Sequence, residues 1–261
     1  MITLAIVCST VLVLGSTMAE SISDYILEAS NTMDKYKNAT EYRVFANSLD
    51  LSAVDTYPQK IKTVISDKPM YVLDLLVHQD INKIKPVEYK KYKYSRNISI
   101  YLNPSAKIES SSEEVKKLTQ TIAPGEKDII KIAQKAADWT ASNIKFDKQL
   151  AQEITSGASS TQSAVETIKR KTGTCGEYTN VFIAIMRCRD IPARFVAGYV
   201  YGGVYHSWAE IYLKGIGWVP VDPQIGTIGI DDTYIKLFIG KDFEDSKIKL
   251  RDIGIYVIKS N

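Results

Sequence analysis

The sequence predicts an α+β fold, in which helices pack on an antiparallel sheet and a small β-rich region comes first. Between Tyr42 and Leu102, β-branched and aromatic runs alternate with polar or proline-containing breaks, which is typical of strands. Between residues 110 and 188, apolar residues recur at the spacing of amphipathic helices. From His206 to Pro223, two strand patterns are joined across a glycine-containing turn. Helices and strands therefore occupy different parts of the chain, as in α+β proteins.

Length and composition indicate a globular protein. The chain has 261 residues, enough for one large domain or two small ones. Hydrophobic residues make up 45% and charged residues 24%, which excludes disordered, collagen-like and repeat proteins. Lys and Arg number 33 against 30 Asp and Glu, and the net charge of +3 is too small to indicate a nucleic-acid partner. The 3 cysteines are too few for a disulfide scaffold.

Residues 1–19 predict a signal peptide. This segment contains no charged side chain, and its stretch from residue 2 to residue 14 is apolar except for Thr3, Ser9 and Thr10. The stretch is shorter than the roughly 18 to 20 residues that span a bilayer, and Ala19 is the small residue that a signal peptidase prefers. We expect a secreted or cell-envelope-associated protein. An uncleaved N-terminal anchor is the alternative, and only then is contact with a membrane expected.

Residues 20–107 predict an N-terminal domain of one helix and several strands. Apolar residues at helical spacing predict a short helix over Asp24–Lys35. The predicted strands are Tyr42–Phe45, Ile61–Ile65, Tyr71–Val77 and Ile98–Leu102. Basic and apolar residues alternate over Lys83–Arg96, which we interpret as an amphipathic strand with a solvated basic face. A surface for anionic envelope polymers or nucleic acid is the alternative interpretation of this segment.

Residues 108–261 predict a second domain that begins with helices. Ser110–Glu114 has the form of a capping box, in which a hydroxyl is followed three positions later by a carboxylate, and it predicts a helix start. After the break at Pro124-Gly125, an apolar stripe that ends at Trp139 predicts a second helix. Further along, the pattern predicts a surface loop over Lys148–Ser163 and a short helix over Ala164–Lys171.

Cys175 is the candidate nucleophile. It directly precedes an apolar pattern that predicts a helix of about 14 residues. Unpaired amide groups and the positive dipole end at a helix N-terminus stabilise a thiolate, which is the reactive form of cysteine. A disulfide between Cys175 and Cys188 is the alternative, but one helix would hold them roughly 20 Å apart, beyond disulfide reach. We expect Cys188 to be a small buried apolar residue.

His206 is the candidate general base, and Asp222 is the candidate residue that orients it. The chain has 2 histidines. His78 ends a strand pattern with no reactive group near it, which predicts a packed or solvated side chain. The strand patterns His206–Leu213 and Trp218–Pro223 are neighbours and bring His206 beside Asp222. An imidazole serves as a general base when a carboxylate fixes its tautomer and its other nitrogen faces the thiol.

The turn between these two strands decides whether His206 and Asp222 share a face of the sheet. A turn of three or five residues places Trp208 opposite Asp222, so that His206 and Asp222 become diagonal neighbours on one face. A turn of two or four residues separates them. We therefore expect an odd number of turn residues or a bulge.

Four sequence blocks follow one another in the C-terminal half of the chain. They are Gly173–Tyr178 (GTCGEY), Ile191–Tyr199 (IPARFVAGY), His206–Glu210 (HSWAE) and Gly217–Pro223 (GWVPVDP). Together they resemble the core of prokaryotic transglutaminase-like proteins, over about residues 108–245. The resemblance implies a papain-like α+β fold with Cys175 as nucleophile, His206 as base and Asp222 as orienting acid. The region before Glu109 resembles the less specific β-rich domains that often precede this core.

Several positions call for separate expectations. Asp190 stands where many relatives have glycine after the nucleophile helix, and we expect it to adopt the left-handed conformation that Asp tolerates. Tyr205 is bulkier than the residue often found before the histidine, which predicts a narrower acyl site. Arg194 and Glu210 are expected to form a structural pair on adjacent strands. Trp139 is expected to pack in the core rather than to stabilise an oxyanion.

Other chemistries lack their motifs in this chain. There is no GxxxxGK loop for nucleotide phosphates, no HExxH and no CxxC. We expect no cofactor and no metal. Ligation of a metal by Cys175, His206 and Asp222 is a weaker alternative to the triad, because these three groups make a poor soft-metal site.

The candidate residues predict an exported thiol hydrolase that acts on peptide, isopeptide or carboxamide bonds through a thioester acyl-enzyme. One oxyanion donor is expected to be the backbone N–H of Cys175. Hydrolysis is favoured because water outside the cell is far more concentrated than any amine. The expected partner is a protein or peptide substrate, including cell-envelope polymers, and not nucleic acid. The alternatives are a protein-glutamine amine transferase, or crosslinking transglutaminase, and a non-catalytic envelope-binding protein that keeps the fold.

Overall fold

The computed structural model describes eight segments and one single residue of the chain. These are residue 36 and residues 38–46, 51–67, 70–77, 86–90, 92–156, 160–200, 204–245 and 253–259, with side chains of residues 65–70 and 253–259 left undescribed. The predicted leader 1–19, the predicted helix Asp24–Lys35 and His78 lie outside these segments. Residues 38–261 form one compact unit. A search of the described helices for one long and apolar enough to span a bilayer finds none.

An antiparallel sheet of four strands, the N-terminal sheet, is built from both ends of the described chain. Its strands are β1 (Thr40–Ala46), β2 (Gln59–Asp67), β3 (Met70–Val77) and β11 (Ile253–Lys259), in the order β11-β1-β3-β2. The strands predicted over 42–45, 61–65 and 71–77 are confirmed. The division predicted between residues 107 and 108 is crossed by this sheet, because β11 comes from the C-terminal side of it and pairs with β1.

One face of the N-terminal sheet is apolar and buried. Alternate residues of β1 point to the same side, and Tyr42 and Val44 are buried there beside Leu73 and Leu75 of β3. On the other side, Arg43 and Asp74 lie opposite each other and form a two-bonded ion pair at 2.7 and 2.9 Å. The hydrophobic effect therefore fixes which side of this sheet packs against the rest of the unit.

A second antiparallel sheet, the central sheet, carries the later sequence blocks. Its strands are β6 (Ala193–Val200), β7 (Val204–Leu213), β8 (Gly217–Asp222), β9 (Thr227–Ile228) and β10 (Ile235–Gly240), in the order β10-β6-β7-β8-β9. Ile235 and Leu237 of β10 pack into the same apolar cluster as Tyr42 and Val44. The two sheets thus share a core. A short parallel pair is formed by β4 (Lys145–Phe146) and β5 (Thr172–Gly173).

Three of the described helices pack against a buried central helix. The described helices are α1 (Leu51–Val54), α2 (Arg96–Ser99), α3 (Glu113–Ile122), α4 (Ile129–Asn143), α5 (Lys148–Ser156), α6 (Ala164–Arg170) and α7 (Cys175–Cys188), with 3-10 turns at Ile100–Leu102 and Phe243–Asp245. Every residue of α7 from Gly176 to Arg187 is buried. A helix that is covered on all sides is the centre of a core rather than a surface element.

The core around α7 comes from one face of the central sheet and from the helices before it. Phe182 and Ile185 of α7 are fully buried against Phe195 of β6 and Ile211 of β7. Burial of one such side chain stabilises the fold by about 1.5 to 3 kcal/mol. Ile132 of α4 packs on the other side of this cluster. The α+β fold predicted from the sequence is confirmed.

Helix starts follow the local capping signals. The Ser112 hydroxyl accepts from the Val115 amide at 3.3 Å, so the helix begins within the predicted segment but without a capping-box carboxylate. The Asp128 carboxylate accepts from the Ile130 amide at 2.9 Å. The carboxylate of Asp147 accepts from the Leu150 amide at 3.0 Å. Side-chain oxygens thus satisfy amide groups that have no partner inside the helix.

Two predicted elements in the described chain are wrong, and a third is not formed as predicted. Residues 148–156 form α5 instead of a loop. This helix buries Leu150 alone, so its sequence lacks the apolar stripe from which a helix is predicted. Residues 98–102 are helical instead of extended, since the backbone of Ser95 starts a turn that buries Ile98 alone. The described parts of Lys83–Arg96 contain an isolated bridge between Glu88 and Asp128, not the predicted strand.

Asp190 closes α7 in a left-handed conformation, as predicted. Its φ is 52°. Its amide donates to the Arg187 carbonyl, and the Ile191 amide donates to the Met186 carbonyl, each at 3.0 Å. These two bonds form a Schellman motif, in which the residue at this position is usually glycine.

Replacement of Asp190 tests the cost of this left-handed residue. We expect Asp190→Gly to raise the free energy of unfolding by about 0.5 to 1 kcal/mol, because glycine has no Cβ to clash at positive φ. Asp190→Ala is the matched control, and it should lower the free energy of unfolding by a similar amount. Urea unfolding followed by circular dichroism measures both. Equal stability of the two variants would contradict the role given to the backbone conformation.

Candidate active site

Cys175 is the first residue of α7, where the sequence analysis placed it. Cys175 is partly exposed, although the next twelve residues are buried. The first two amide groups of α7, those of Cys175 and Gly176, lie at the positive end of the helix dipole and have no acceptor one turn earlier. The N-terminus of α7 therefore places backbone amide donors next to the Cys175 thiol.

Glu177 holds the backbone that enters α7. Its carboxylate is fully buried and accepts from the Thr174 amide and hydroxyl, both at 2.6 Å, and from the Gln162 amide at 2.6 Å. A Cβ on Gly173 would lie 2.3 Å from the Glu177 Cβ, so only glycine fits there. The sequence analysis gave Glu177 no role. The Thr174-to-Glu177 spacing is the capping-box signal that could have found it.

The first turn of α7 is joined to β7. The Thr179 hydroxyl lies 2.8 Å from the Cys175 carbonyl oxygen and 3.2 Å from the Ser207 carbonyl oxygen. Ser207 directly follows His206, and its side chain is buried. This contact fixes the distance between the start of the helix and the strand that carries the histidine.

The turn between β7 and β8 has the predicted odd length. Leu213 pairs with Gly217 and Ala209 with Val221, which leaves residues 214–216 as a three-residue turn. The same register continued by one pair sets Trp208 opposite Asp222. His206 and Asp222 therefore share a face of the central sheet, and the prediction is confirmed.

The imidazole of His206 binds the carboxylate of Asp222. Their Nε2 and Oδ2 atoms are 2.7 Å apart, and the exposed fractions of the two side chains are 13% and 1%. With Nε2 occupied, Nδ1 is the ring nitrogen left to interact with the Cys175 thiol, with which His206 forms a side-chain hydrogen bond. The structure thus brings Cys175, His206 and Asp222 together in the order thiol, imidazole, carboxylate.

The environment favours a thiolate–imidazolium pair. Burial raises the pKa of the Cys175 thiol. The hydrogen bond with His206 and the charge of His206 lower this pKa by more than burial raises it, so the net pKa is below the ordinary value. Burial lowers the pKa of His206, whereas the hydrogen bonds to Asp222 and Cys175 raise it, to about 10. Each partner stabilises the charged form of the other.

Asp222 is held by two more donors. The Tyr234 hydroxyl donates to Oδ2 at 2.7 Å, and the Gln224 amide donates to Oδ1 at 2.9 Å. Burial raises the pKa of Asp222, but the hydrogen bonds and the His206 charge outweigh burial and lower it. Sequence reasoning missed Tyr234, because it lies twelve positions after Asp222 and outside the hairpin. A tyrosine on a loop carries no local signal for such a contact.

Aromatic rings enclose the histidine. The Trp208 ring stacks on the His206 ring with centroids 6.4 Å apart, and the Tyr234 ring meets both edge-on, at 6.0 Å from His206 and 5.3 Å from Trp208. Trp208 is almost fully buried, in a small cluster with Val196 and Ile230. These ring contacts help to orient the imidazole, whose side chain is 13% exposed.

Arg194 and Glu210 form the structural pair that was predicted. Nε of Arg194 lies 2.6 Å from the Glu210 carboxylate, and the guanidinium also stacks on the Trp218 ring, with its carbon 4.0 Å from the ring centroid. The sequence analysis missed Lys236, whose ammonium donates to the same carboxylate at 2.8 Å. Burial lowers the pKa of Lys236 to about 8. This ion cluster makes no contact with Cys175 and is structural.

The other cysteine lies far from the site. Cys175 and Cys188 are both free thiols at opposite ends of α7, as the helix geometry predicts. Cys188 is partly buried and packs on the core. A cavity of about 490 Å³ lies beside Cys188 and is lined by Arg187, Arg189 and Lys116, and none of Cys175, His206 and Asp222 lines it.

The remaining expectations concern Trp139, Tyr205 and metal binding. Trp139 packs against the core cluster, in agreement with its predicted packing role. Tyr205 is partly buried, and its ring meets that of Tyr199 edge-on at 5.9 Å. Within the described segments, no three His, Cys, Asp or Glu side chains are grouped so that they could hold a metal ion.

The fold and the site define a class of protein with a cysteine at the start of a buried helix and a histidine–aspartate pair on the adjoining sheet. Residues 116–223 match the sequence model of the Transglutaminase-like superfamily. This part of the chain is therefore similar to a transglutaminase-like core, in agreement with the resemblance seen in the sequence. The core follows the three N-terminal strands β1, β2 and β3.

Two curated relatives match part of the chain. An uncharacterized protein of Haemophilus influenzae is 27% identical over 158 residues, which are 51% of this chain and 42% of that protein. The protein ML0607 of Mycobacterium leprae is 25% identical over 121 residues, which are 42% of this chain and 40% of that protein. The chain thus spans less than half the length of these relatives.

A candidate cysteine protease from Cytophaga hutchinsonii has a similar solved structure. Its TM-score is 0.58 at 17% identity, and the match covers 84% of this chain and 81% of that one. At this level of identity, the similarity shows that the two chains share a fold.

The ionisation of Cys175 has a measurable consequence. The thiolate should persist below the ordinary pKa of cysteine and disappear only as the pH falls through the lowered value. Iodoacetamide should therefore label Cys175 much faster than Cys188 at pH 6 to 7. Peptide mass spectrometry after short pulses measures both rates in one sample, so that Cys188 is an internal control.

Asp222→Asn is the matched variant for this measurement. The amide of Asn can present its NH2 group to Nε2, so His206 shifts to the tautomer that carries its proton on Nδ1 and no longer accepts the thiol proton. We expect labelling of Cys175 at pH 6 to fall on the order of tenfold for each unit by which the thiol pKa rises. Equal and slow labelling of both cysteines in the unchanged protein would contradict the activated thiolate.

Proposed function

We propose that the chain is a thiol hydrolase that cleaves peptide, isopeptide or carboxamide bonds. The observation that carries this proposal is the contact sequence from the Cys175 thiol through the His206 ring to Asp222, with Nε2 and Oδ2 2.7 Å apart. Nucleophile, base and orienting group are the three parts that covalent acyl transfer needs. The transglutaminase-like core supports the same reaction class.

Acylation would begin with the thiolate of Cys175. Its sulfur attacks the carbonyl carbon, a C–S bond forms, and the carbonyl oxygen becomes an oxyanion beside the amides at the start of α7. The oxyanion then returns its electron pair, the C–N bond breaks, and the His206 imidazolium gives its proton to the leaving nitrogen. The products of this step are a thioester on Cys175, a free amine or ammonia, and a neutral imidazole.

Release of the acyl group would reverse these roles. His206 takes a proton from water, the hydroxide adds to the thioester carbon, and the C–S bond breaks. A carboxylic acid leaves, and the thiolate–imidazolium pair is restored. Asp222 keeps its charge throughout and stabilises the imidazolium.

Water is the acceptor that we favour. A thioester that is open to solvent meets water at a far higher concentration than any amine. Cys175 is partly exposed, which supports access of water to the acyl group. We also propose that the protein is exported, on the basis of the uncharged and largely apolar residues 1–19, and that its substrates include cell-envelope polymers.

A comparison of two cysteine variants tests the proposal. An unfolded protein with a self-quenched fluorophore serves as the substrate for peptide cleavage, and a glutamine-rich protein serves for release of ammonia. We expect Cys175→Ala to abolish both activities, because no other group supplies the nucleophile. Cys188→Ala is the control and should keep them, since Cys188 is at the far end of α7.

The same assay separates hydrolysis from crosslinking. A fluorescent primary amine is added to the glutamine-rich protein, and stable incorporation is compared with ammonia release. Incorporation that accounts for less than half of the released ammonia supports the hydrolase. Incorporation that accounts for most of it would assign the amine transferase instead. Activities that survive Cys175→Ala would contradict Cys175 as the nucleophile, and absence of both activities in the unchanged protein would favour a non-catalytic envelope-binding protein.

A further inference from the structure

The segment that carries Tyr234 is fastened at both ends by the N-terminal sheet. Tyr234 lies between β9 and β10 of the central sheet, and its hydroxyl donates to Asp222 Oδ2 at 2.7 Å. Two residues before it, Asp232 contacts β1. Two residues after it, Lys236 contacts β2.

The attachment at Asp232 uses two side chains of β1. The Tyr42 hydroxyl donates to the backbone carbonyl of Asp232 at 3.0 Å. The Thr40 hydroxyl donates to the Asp232 carboxylate. Thr40 and Tyr42 are both buried and are two residues apart on β1, so their side chains lie on the same side of the strand. Asp232 is therefore held by β1 through both its backbone and its side chain.

The attachment at Lys236 uses Gln59, the first residue of β2. The Gln59 side-chain amide donates to the Lys236 carbonyl at 2.8 Å and accepts from the Lys236 amide. Gln59 is almost fully buried, so water does not compete for these bonds. This pairing copies the two bonds of a strand neighbour and holds the start of β10.

We propose that Thr40, Tyr42 and Gln59 of the N-terminal sheet are positioning residues for the triad, acting through Tyr234 on Asp222. A carboxylate held only by His206 and Gln224 keeps more freedom to rotate than one that also accepts from a fixed phenol. When Asp222 rotates away, His206 loses the contact that raises its pKa. The N-terminal sheet thereby has a function in the chemistry, and this inference rests on the proposed function of the triad.

The titration of His206 provides the test. Proton NMR of the full chain resolves the ring signals of 2 histidines, and His78→Gln assigns them. We expect Tyr42→Phe and Tyr234→Phe each to lower the pKa of His206 and to slow the labelling of Cys175 by iodoacetamide at pH 7, with the larger effect in Tyr234→Phe. A shift of one unit corresponds to about a tenfold change in the proton equilibrium.

Three controls separate positioning from general loss of stability. Thr40→Val removes the hydroxyl that binds Asp232, whereas Thr40→Ser keeps it, so only the valine variant should change the titration. Val44→Ala weakens the same sheet by leaving a cavity and touches none of these hydrogen bonds. It should lower the melting temperature and leave the pKa of His206 unchanged.

The outcomes distinguish this inference from the proposed function. Unchanged His206 titration in Tyr42→Phe and Thr40→Val, together with a changed one in Tyr234→Phe, would overturn the role of the N-terminal sheet. An unchanged titration in Tyr234→Phe would overturn the contact through which it acts. Neither result depends on a substrate, whereas failure of the hydrolase appears as absent turnover with a normal titration and fast labelling of Cys175.

Discussion

A carboxylate withdrawn from water stays ionised only when donors replace the water, and this requirement organises the site around Asp222. Its side chain is 1% exposed, and its oxygens accept from His206, Tyr234 and the Gln224 amide. These donors come from β7, from the segment before β10, and from the chain just after β8. The carboxylate is therefore satisfied only when these three segments have come together, so the arrangement of His206 and Asp222 depends on complete folding of this sheet.

A second buried carboxylate on β7 holds the sheet on which the first one depends. Glu210 lies four residues beyond His206 along the strand and on the same face. It binds Arg194 of β6 and Lys236 of β10, so one carboxylate links three strands. Burial of charges is expensive unless they are fully paired, and such clusters fix register more than they add stability. The two carboxylates thus have different tasks, since one faces fixed cations and the other faces a titrating imidazole.

Much of this site could be predicted because its signals are local. The helix start at Cys175 follows from an apolar pattern that begins just after a glycine and a capping hydroxyl. The pairing of His206 with Asp222 follows from the period of two in a strand and the odd turn over 214–216. The contact between Arg194 and Glu210 follows in the same way from adjacent strands. Each of these inferences needs only spacing along the chain.

The elements and contacts that were predicted wrongly or missed have no such local signal. The helix at Lys148–Ser156 buries a single apolar side chain, so its sequence lacks a periodic stripe. Tyr234 lies just before β10 and Lys236 lies on it, and β10 pairs with β6, a strand far away in sequence. Gln59 contacts Lys236 only because the two sheets pack face to face. No pattern in the neighbouring residues indicates such partners.

The sequence by itself determined the α+β class, the helix that presents Cys175, and the register that joins His206 to Asp222. Hydrophobic periodicity, capping and turn length act over a few residues, so their effects can be predicted directly from the sequence. The tertiary structure decided that β11 completes the N-terminal sheet and that Tyr234 reaches Asp222. Those contacts join segments far apart in the chain, and their free energy is gained only after the two sheets have buried their common apolar face.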